Sequence, residues 1–230
     1  MQKLNVLYED NHIIVVEKIV NVPSQADKTG DEDMLTIIKG YLKEKYHKPG
    51  EVYLGLVHRL DRPVGGVMVF AKTSKAAARL SEQVRIKAFQ KKYLVIVDGK
   101  MQTDTGTLED YLLKNEKMNM SKVVKEGTKN AKLAKLDYEV LKYQDEINLS
   151  LLVVYLHTGR HHQIRVQFAS REHSLYGDQK YGCRGRGKQI ALWAYSLSFI
   201  HPVTKEEMSF RVLPKIEGSW KILEDVVDSL

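Results

Sequence analysis

Residues 57–72 read Val57-His58-Arg59-Leu60-Asp61-Arg62-Pro63-Val64-Gly65-Gly66-Val67-Met68-Val69-Phe70-Ala71-Lys72, a knot of charge joined to an apolar run. Val67 to Ala71 is β-branched and apolar without alternation, the pattern of a strand covered on both faces. Such a strand requires a sheet around it, and this limits the folds open to the chain. Ahead of it, a histidine, two arginines and an acid crowd into residues 58–62. If Val57 to Asp61 is extended, alternation places Arg59 and Asp61 on one face. An acid beside a base at the mouth of a buried strand is either an exposed ion pair near a turn or part of a site. Taken alone, the stretch favours the ion pair. Arg62 precedes proline and is biased to extended backbone, and Gly65-Gly66 let main chain approach a neighbour or a ligand closely.

The rest of the chain supplies the sheet. Val6 to Tyr8 and His12 to Val16 read as two strands around the turn Glu9-Asp10-Asn11. Asp33 is placed to cap a helix whose apolar positions Met34, Leu35, Ile37, Ile38, Tyr41 and Leu42 keep helical spacing, ending near Lys48-Pro49-Gly50. Ser74 is expected as the N-cap of a second helix, with Ala77, Leu80, Val84 and Ala88 on one face. Lys91 to Val97 is another strand, closed by the turn signal Asp98-Gly99. The lysine-rich residues 114–132 read as a loop or mobile β excursion, solvated or touching a phosphate backbone. Two longer strands are expected at 136–143 and 149–156, then a helix from His161 to Ala169 after Thr158-Gly159-Arg160. Residues 191–200 and 208–213 form a hairpin pair around His201-Pro202, and Ser219 caps a last helix burying Leu223, Val226, Val227 and Leu230. Strands dominate without βαβ alternation or repeats. The expected fold is α+β, one domain over residues 1–230 with a large, mainly antiparallel sheet.

Composition narrows the function classes. Lys and Arg outnumber Asp and Glu, 36 against 29, giving a formal charge of +7, which suits a polyanionic partner. The single cysteine, Cys183, excludes an internal disulfide and a cysteine-built zinc site. It lies in the glycine-rich stretch Tyr181 to Gly187, where no partner base suggests a nucleophile and no lysine-serine ending suggests a phosphate loop. His157, His161, His162 and His173 lack a His-Glu-x-x-His pattern or an acidic cluster, so no metal is expected. The N-terminus lacks a signal-peptide pattern, and no apolar run approaches the ~18 residues a membrane span needs. The chain reads as soluble and cytoplasmic.

Chemistry would have to come from Asp61, Tyr93, Arg59, Arg160 and Arg165. An ionised aspartate in a cleft serves as nucleophile or base, and a nearby arginine favours its ionised form. Aromatic rings stack on bases, and arginines hold phosphates or fill a gap in a base stack. Singly, Tyr93 reads as a core tyrosine and Arg165 as a surface helix residue.

Together they resemble a known family. His58-Arg59-Leu60-Asp61-Arg62-Pro63, followed by Gly66-Val67 and Phe70-Ala71-Lys72, is similar to the signature of RluA-type pseudouridine synthases. Lys92-Tyr93-Leu94-Val95-Ile96-Val97-Asp98-Gly99 resembles the family's lysine-tyrosine strand. Thr158-Gly159-Arg160-His161-His162-Gln163-Ile164-Arg165-Val166 resembles its threonine-glycine-arginine motif. Gly177-Asp178, Tyr181-Gly182 and Phe199-Ile200-His201-Pro202 match its C-terminal part, and Leu7-Tyr8-Glu9-Asp10 with Val15-Val16-Glu17-Lys18 its N-terminal part. Ile19, Trp193 and the pair Val64-Gly65 depart from the usual residues. Because strands begin at Val6, an S4-like RNA-binding domain is not expected.

The resemblance implies a pseudouridine-synthase-type domain with a central cleft. It also implies an isomerase that breaks the N1–C1′ bond of a uridine in ribosomal or transfer RNA, turns the base and joins C5 to C1′. Asp61 is the implied catalytic acid, as nucleophile at C1′ or as base toward a sugar proton. Arg165 is implied to pair with Asp61, and Tyr93 to stack on the base and assist loss of the C5 proton. Arg59 is implied to fill the space the flipped base leaves or to hold its phosphate, with His58, Arg62, Arg160 and Lys92 as further RNA contacts. No cofactor, metal or obligatory protein partner is implied, and a monomer is expected. A non-catalytic RNA-binding or RNA-folding module using the same cleft is the alternative, with a base-releasing N-glycosidase as a further rival.

Overall fold

The computed structural model describes residues 4–182 and 187–230. In chain order the elements are β1 (Asn5–Glu9), β2 (Ile13–Lys18), α1 (Met34–Lys45), β3 (Gly55–Leu56), β4 (Gly65–Ala71), α2 (Ser74–Arg85) and β5 (Gln90–Asp98). They continue with β6 (Thr105–Asn115), β7 (Met120–Val124), β8 (Lys132–Gln144), β9 (Leu149–Leu156), α3 (Gln163–Ala169), β10 (Leu192–Ile200) and β11 (Glu207–Arg211). Short 3-10 turns occupy Asp145–Ile147, Gly218–Leu223 and Val227–Ser229. This is the α+β class expected. Backbone contacts divide the chain into two compact units, Met1–Gln90 with Ala194–Leu213, and Lys91–Trp193 with Pro214–Leu230. No helix among the described residues is long and apolar enough to cross a membrane.

The first unit is built on β4, all seven residues of which are buried. Its apolar run is answered on one edge by β2, antiparallel from Ile13↔Ala71 to Lys18↔Gly66, and β1 pairs antiparallel with β2. β10 lies on the other side of β4 and carries β11. The two residues of β3 pair with the Phe70–Ala71 end of β4. Val67, Val69 and Ala71 join Ala76 and Leu80 of α2, Phe89, Leu197 and Phe199 in one core, where Phe89 and Phe199 stack with centroids 5.5 Å apart. Asp33 caps α1 as expected, accepting the N–H groups of Leu35 and Thr36 at 2.8 and 3.1 Å. The cap of α2 is Thr73 rather than Ser74; its side chain accepts from Ala76 N–H, and Ser74 becomes the first helical residue. Gly66 has φ +121°, and a Cβ there would sit 2.2 Å from the carbonyl oxygen of Ala194 on β10, so only glycine fits.

In the second unit the strand order is β5-β9-β8-β6-β7. β5 pairs antiparallel with β9 from Lys92↔Tyr155 to Asp98↔Leu149, and β8 pairs with β9 through a register shift between Val140 and Lys142. Of the loop or β excursion expected for residues 114–132, the structure has the β form: they hold the end of β6 and all of β7, paired from Tyr111↔Val124 to Asn115↔Met120. α3 is shorter at its start than expected because His162 takes a left-handed conformation, φ +54°. The last segment is a correction. It forms 3-10 turns that bury Trp220, Ile222 and Leu223, not a helix begun by Ser219. Its β-branched residues and the positive φ of Gly218 disfavour a regular helix there.

Candidate active site

Residues 57–61 follow β3 outside the sheet, yet burial alternates along them: His58 and Leu60 are buried, Val57, Arg59 and Asp61 are not. The segment is held by side chains in place of a ladder. Ser24 Oγ accepts the N–H of Leu60 at 3.2 Å and donates to its carbonyl at 2.9 Å. His58 Nε2 accepts the N–H of Val69 at 3.1 Å, and the ring meets Phe89 edge to face. A turn follows, closed by Val64 N–H donating to Asp61 O at 2.9 Å. His58 is thereby tied into the core.

Under that turn lies Lys18, the last residue of β2 and fully buried. Its Nζ donates to the carbonyls of Ile19, Arg62 and Val64 at 3.0, 3.0 and 2.7 Å. Burial pushes its pKa down to about 7; the Asp61 carboxylate opposes this, and the Arg62 charge adds to it. The buried amine thus braces the backbone on the C-terminal side of Asp61.

The two neighbouring arginines differ. Arg62 is engaged with the loop before α1: Nε donates to Asn21 O at 3.1 Å, Nη1 to Thr29 Oγ1 at 2.9 Å, and Nη2 to Asp31, with Asp27 3.6 Å away. Arg59 is exposed and, among the described residues, makes no hydrogen bond or ion pair. With Gln25, Leu56, Val57 and His58 it lines a shallow, open depression.

In the second unit, Tyr93 is buried on β5 opposite Val154. Lys92 points to the other face, its Nζ 5.2 Å from the ring centroid of Tyr155. The Thr158-Gly159-Arg160 turn is fixed by Gln163, whose Oε1 accepts from Thr158 Oγ1 at 2.7 Å and from Arg160 N–H at 3.1 Å. Arg160 is exposed, with Nε donating to Leu133 O at 2.9 Å. Arg165 is 4% exposed, a buried side chain on α3 rather than a surface one. Its Nε and Nη2 grip Asp178 at 2.8 and 2.7 Å, and the Tyr181 ring lies 5.3 Å from its Cζ. Burial alone would raise the Asp178 pKa. The Arg165 hydrogen bonds and charge, with the N–H groups of Lys180 and Tyr181, outweigh that and hold it below the usual carboxylate range.

Asp178, Lys18 and Ser24 are the functional neighbours that sequence reasoning passed over. Asp178 and Lys18 stood only in motifs, and nothing in the sequence marks Ser24. The histidines are occupied elsewhere: His161 and His162 stack 3.7 Å apart, and His162 Nδ1 meets Tyr181 Oη at 2.8 Å. Among the described residues no three of His, Cys, Asp and Glu gather as metal ligands would. Cys183 lies outside the described residues.

Comparison with known proteins decides the family. The sequence model of RNA pseudouridylate synthases matches residues 12–170. The chain belongs to the RNA pseudouridylate synthase family. It is 34% identical to an RNA pseudouridine synthase of Aquifex aeolicus, covering 91% of this chain and 69% of that one. It is 33% identical to the ribosomal large subunit pseudouridine synthase C of Escherichia coli, covering 95% and 69%. The chain thus spans about two thirds of the length of these relatives. Two solved structures share its fold: human RNA pseudouridylate synthase domain containing 4, with TM-score 0.77, 22% identity and coverage of 92% and 89%, and domain containing 1, with TM-score 0.74, 22% identity and coverage of 99% and 94%. As a pseudouridylate synthase the chain is an isomerase that converts uridine in RNA to pseudouridine. Asp61, Arg59, Tyr93 and Arg165 all fall inside the matched segment, and Asp178, which holds Arg165, lies just beyond it.

Proposed function

We propose that this synthase modifies ribosomal RNA and that Asp61 is its catalytic acid. The reaction balances within the nucleotide. The N1–C1′ bond breaks, the base turns, C5 bonds to C1′, C5 loses its proton, and N1 gains one. A carboxylate beside an anomeric carbon that develops positive charge follows the same logic as a glycosidase nucleophile. The observation that carries the reading is Asp61 itself. It is partly exposed between buried Leu60 and a turn braced by Lys18, in a segment matched by the family.

The other roles follow from the family resemblance. Tyr93 stacks on the uracil and assists loss of the C5 proton, and Arg165, fixed by Asp178, is the partner that the resemblance implies for Asp61. Arg59, exposed and unengaged among the described residues, fills the stack left by the flipped base or holds its phosphate. Arg160 and Lys92 support RNA from exposed and half-exposed positions. Arg62 joins them by exchanging its exposed carboxylate partners for phosphate, an exchange made cheap because exposed ion pairs contribute only about 0–1 kcal/mol. The ribosomal assignment rests on relatives named for the large ribosomal subunit. Residues 1–230 act as one catalytic domain, a cytoplasmic monomer without an obligatory protein partner.

The test is tritium release from RNA labelled at uridine C5. Asp61→Asn keeps the side-chain size and is expected to lower release by at least about 1,000-fold, on the scale of removing an essential nucleophile or base. Release at the wild-type rate sinks the assignment. Nucleoside chromatography of ribosomal and transfer RNA treated in parallel identifies the substrate, and free uracil in place of pseudouridine would indicate a glycosidase.

A further inference from the structure

At the Ala71 end of β4, opposite to the end that carries the Asp61 turn, the first unit gathers cations around an exposed ring. Tyr46, at the C-terminus of α1, is 46% exposed. The amines of Lys72, Lys45 and Lys48 stand 4.9, 5.5 and 5.8 Å from its ring centroid. The ring is held in place: its hydroxyl donates to Glu9 at 2.7 Å, and the same carboxylate receives Lys72 at 2.6 Å, Lys45 at 2.7 Å and the Tyr41 hydroxyl at 3.1 Å. Burial of Glu9 opposes ionisation, but these donors hold its pKa down at about 2, so the anchor is charged throughout the physiological range.

Two of the three amines, those of Lys45 and Lys72, meet the Glu9 carboxylate, and the third is not matched by it. Among the described residues Lys48 has no acidic partner. A packing network alone would not need a half-exposed ring with the unmatched amine of Lys48 beside it. A fixed aromatic face bordered by amines is what a single-stranded nucleic acid needs: a surface for one base to stack on and charge for the adjoining phosphates.

We propose that Tyr46, with Lys45, Lys48 and Lys72, is a second RNA contact that takes a single-stranded segment flanking the modified uridine. Six strand steps separate Gly65 from Ala71, about 20 Å at ~3.3 Å each. That corresponds to about six stacked nucleotides at ~3.4 Å each. The surface is therefore an anchor for flanking sequence, separate from the chemistry at Asp61. The inference rests on RNA being the substrate, and its test is independent of turnover.

A 5′-labelled 20-nucleotide oligouridylate is titrated with protein and followed by anisotropy over a range of salt. Tyr46→Ala is expected to weaken binding about 5- to 100-fold, the loss of one stacked base. Lys48→Ala, an exposed change that leaves the Glu9 network intact, is expected to lower the slope of log affinity against log salt by about one. In the wild type, 4-thiouridine in the same oligomer is expected to cross-link within residues 41–53. The proposal is overturned if Lys48→Ala leaves affinity and salt slope unchanged, or if the cross-links map only elsewhere. An acidic protein as the true occupant would give that unchanged result. Pseudouridine formation in ribosomal RNA is scored separately with wild-type protein, so failure of the enzymatic reading shows in that assay alone.

Discussion

Lys18 offers the sharpest test of how the Asp61 turn is held. In the unfolded chain its amine titrates near 10.5, and in the folded protein burial brings this to about 7. Between these values the unfolded chain holds the proton and the native protein has released it, so the unfolded state binds more protons and stability rises with pH. The full difference corresponds to about 5 kcal/mol at ~1.4 kcal/mol per pH unit. Over the practical window from pH 7 to 9.5 it amounts to about 3 kcal/mol. Lys18→Met has similar length and no titration. It leaves the carbonyls of Ile19, Arg62 and Val64 without the amine at every pH, which costs about 1–3 kcal/mol for each group that finds no other donor. Urea unfolding of both proteins at half-unit pH steps isolates the lysine, since all other titrations cancel in the difference. The wild type is expected to gain about 3 kcal/mol on the variant from pH 7 to 9.5. Stability curves that stay parallel within about 0.5 kcal/mol would refute the depressed pKa and the electrostatic account built on it.

Three further changes probe other parts of the structure. Asp178→Asn removes a carboxylate that Arg165 holds through two short hydrogen bonds and should destabilise the protein by about 1–3 kcal/mol, read by thermal or urea unfolding. Gly66→Ala puts a methyl group 2.2 Å from Ala194 O at φ +121°, and a loss of at least about 2 kcal/mol is expected in the same assays. Tyr93→Phe keeps the ring on β5 and removes the hydroxyl, so slower tritium release with unchanged RNA affinity is expected. Unchanged turnover would restrict Tyr93 to packing.

The strands that were legible are those whose covering is written in their side chains. Val67 to Ala71 could only be buried, and β2, β5 and β9 carry the same continuous apolar runs. β6 was missed because Leu108 and Leu112, its buried positions, stand four apart as they would on a helix, with polar residues between. The bend of 57–61 out of the sheet was invisible because it depends on Ser24, more than thirty positions upstream. Within the candidate site, alternation matches the burial of His58 and Leu60 and the lesser burial of Arg59 and Asp61. It could not show that Arg62, Asp61's other neighbour, is engaged by Asp31, Thr29 and Asn21, or that Arg165 is gripped by Asp178. Both depend on loops whose paths no periodicity records.

The bracket between Ser24 and Leu60 has a consequence for association. An extended segment beside a sheet presents bare main-chain donors and acceptors, a template on which another chain can add a strand. At Leu60 one hydroxyl takes both, accepting from the N–H and donating to the carbonyl, and does locally what a neighbouring strand would otherwise do. The segment can keep the alternation that leaves Arg59 and Asp61 less buried and still give Leu60 nothing to offer a foreign strand. Replacing Ser24 by alanine would open that edge, so its first sign should be self-association on concentration rather than a change in secondary structure.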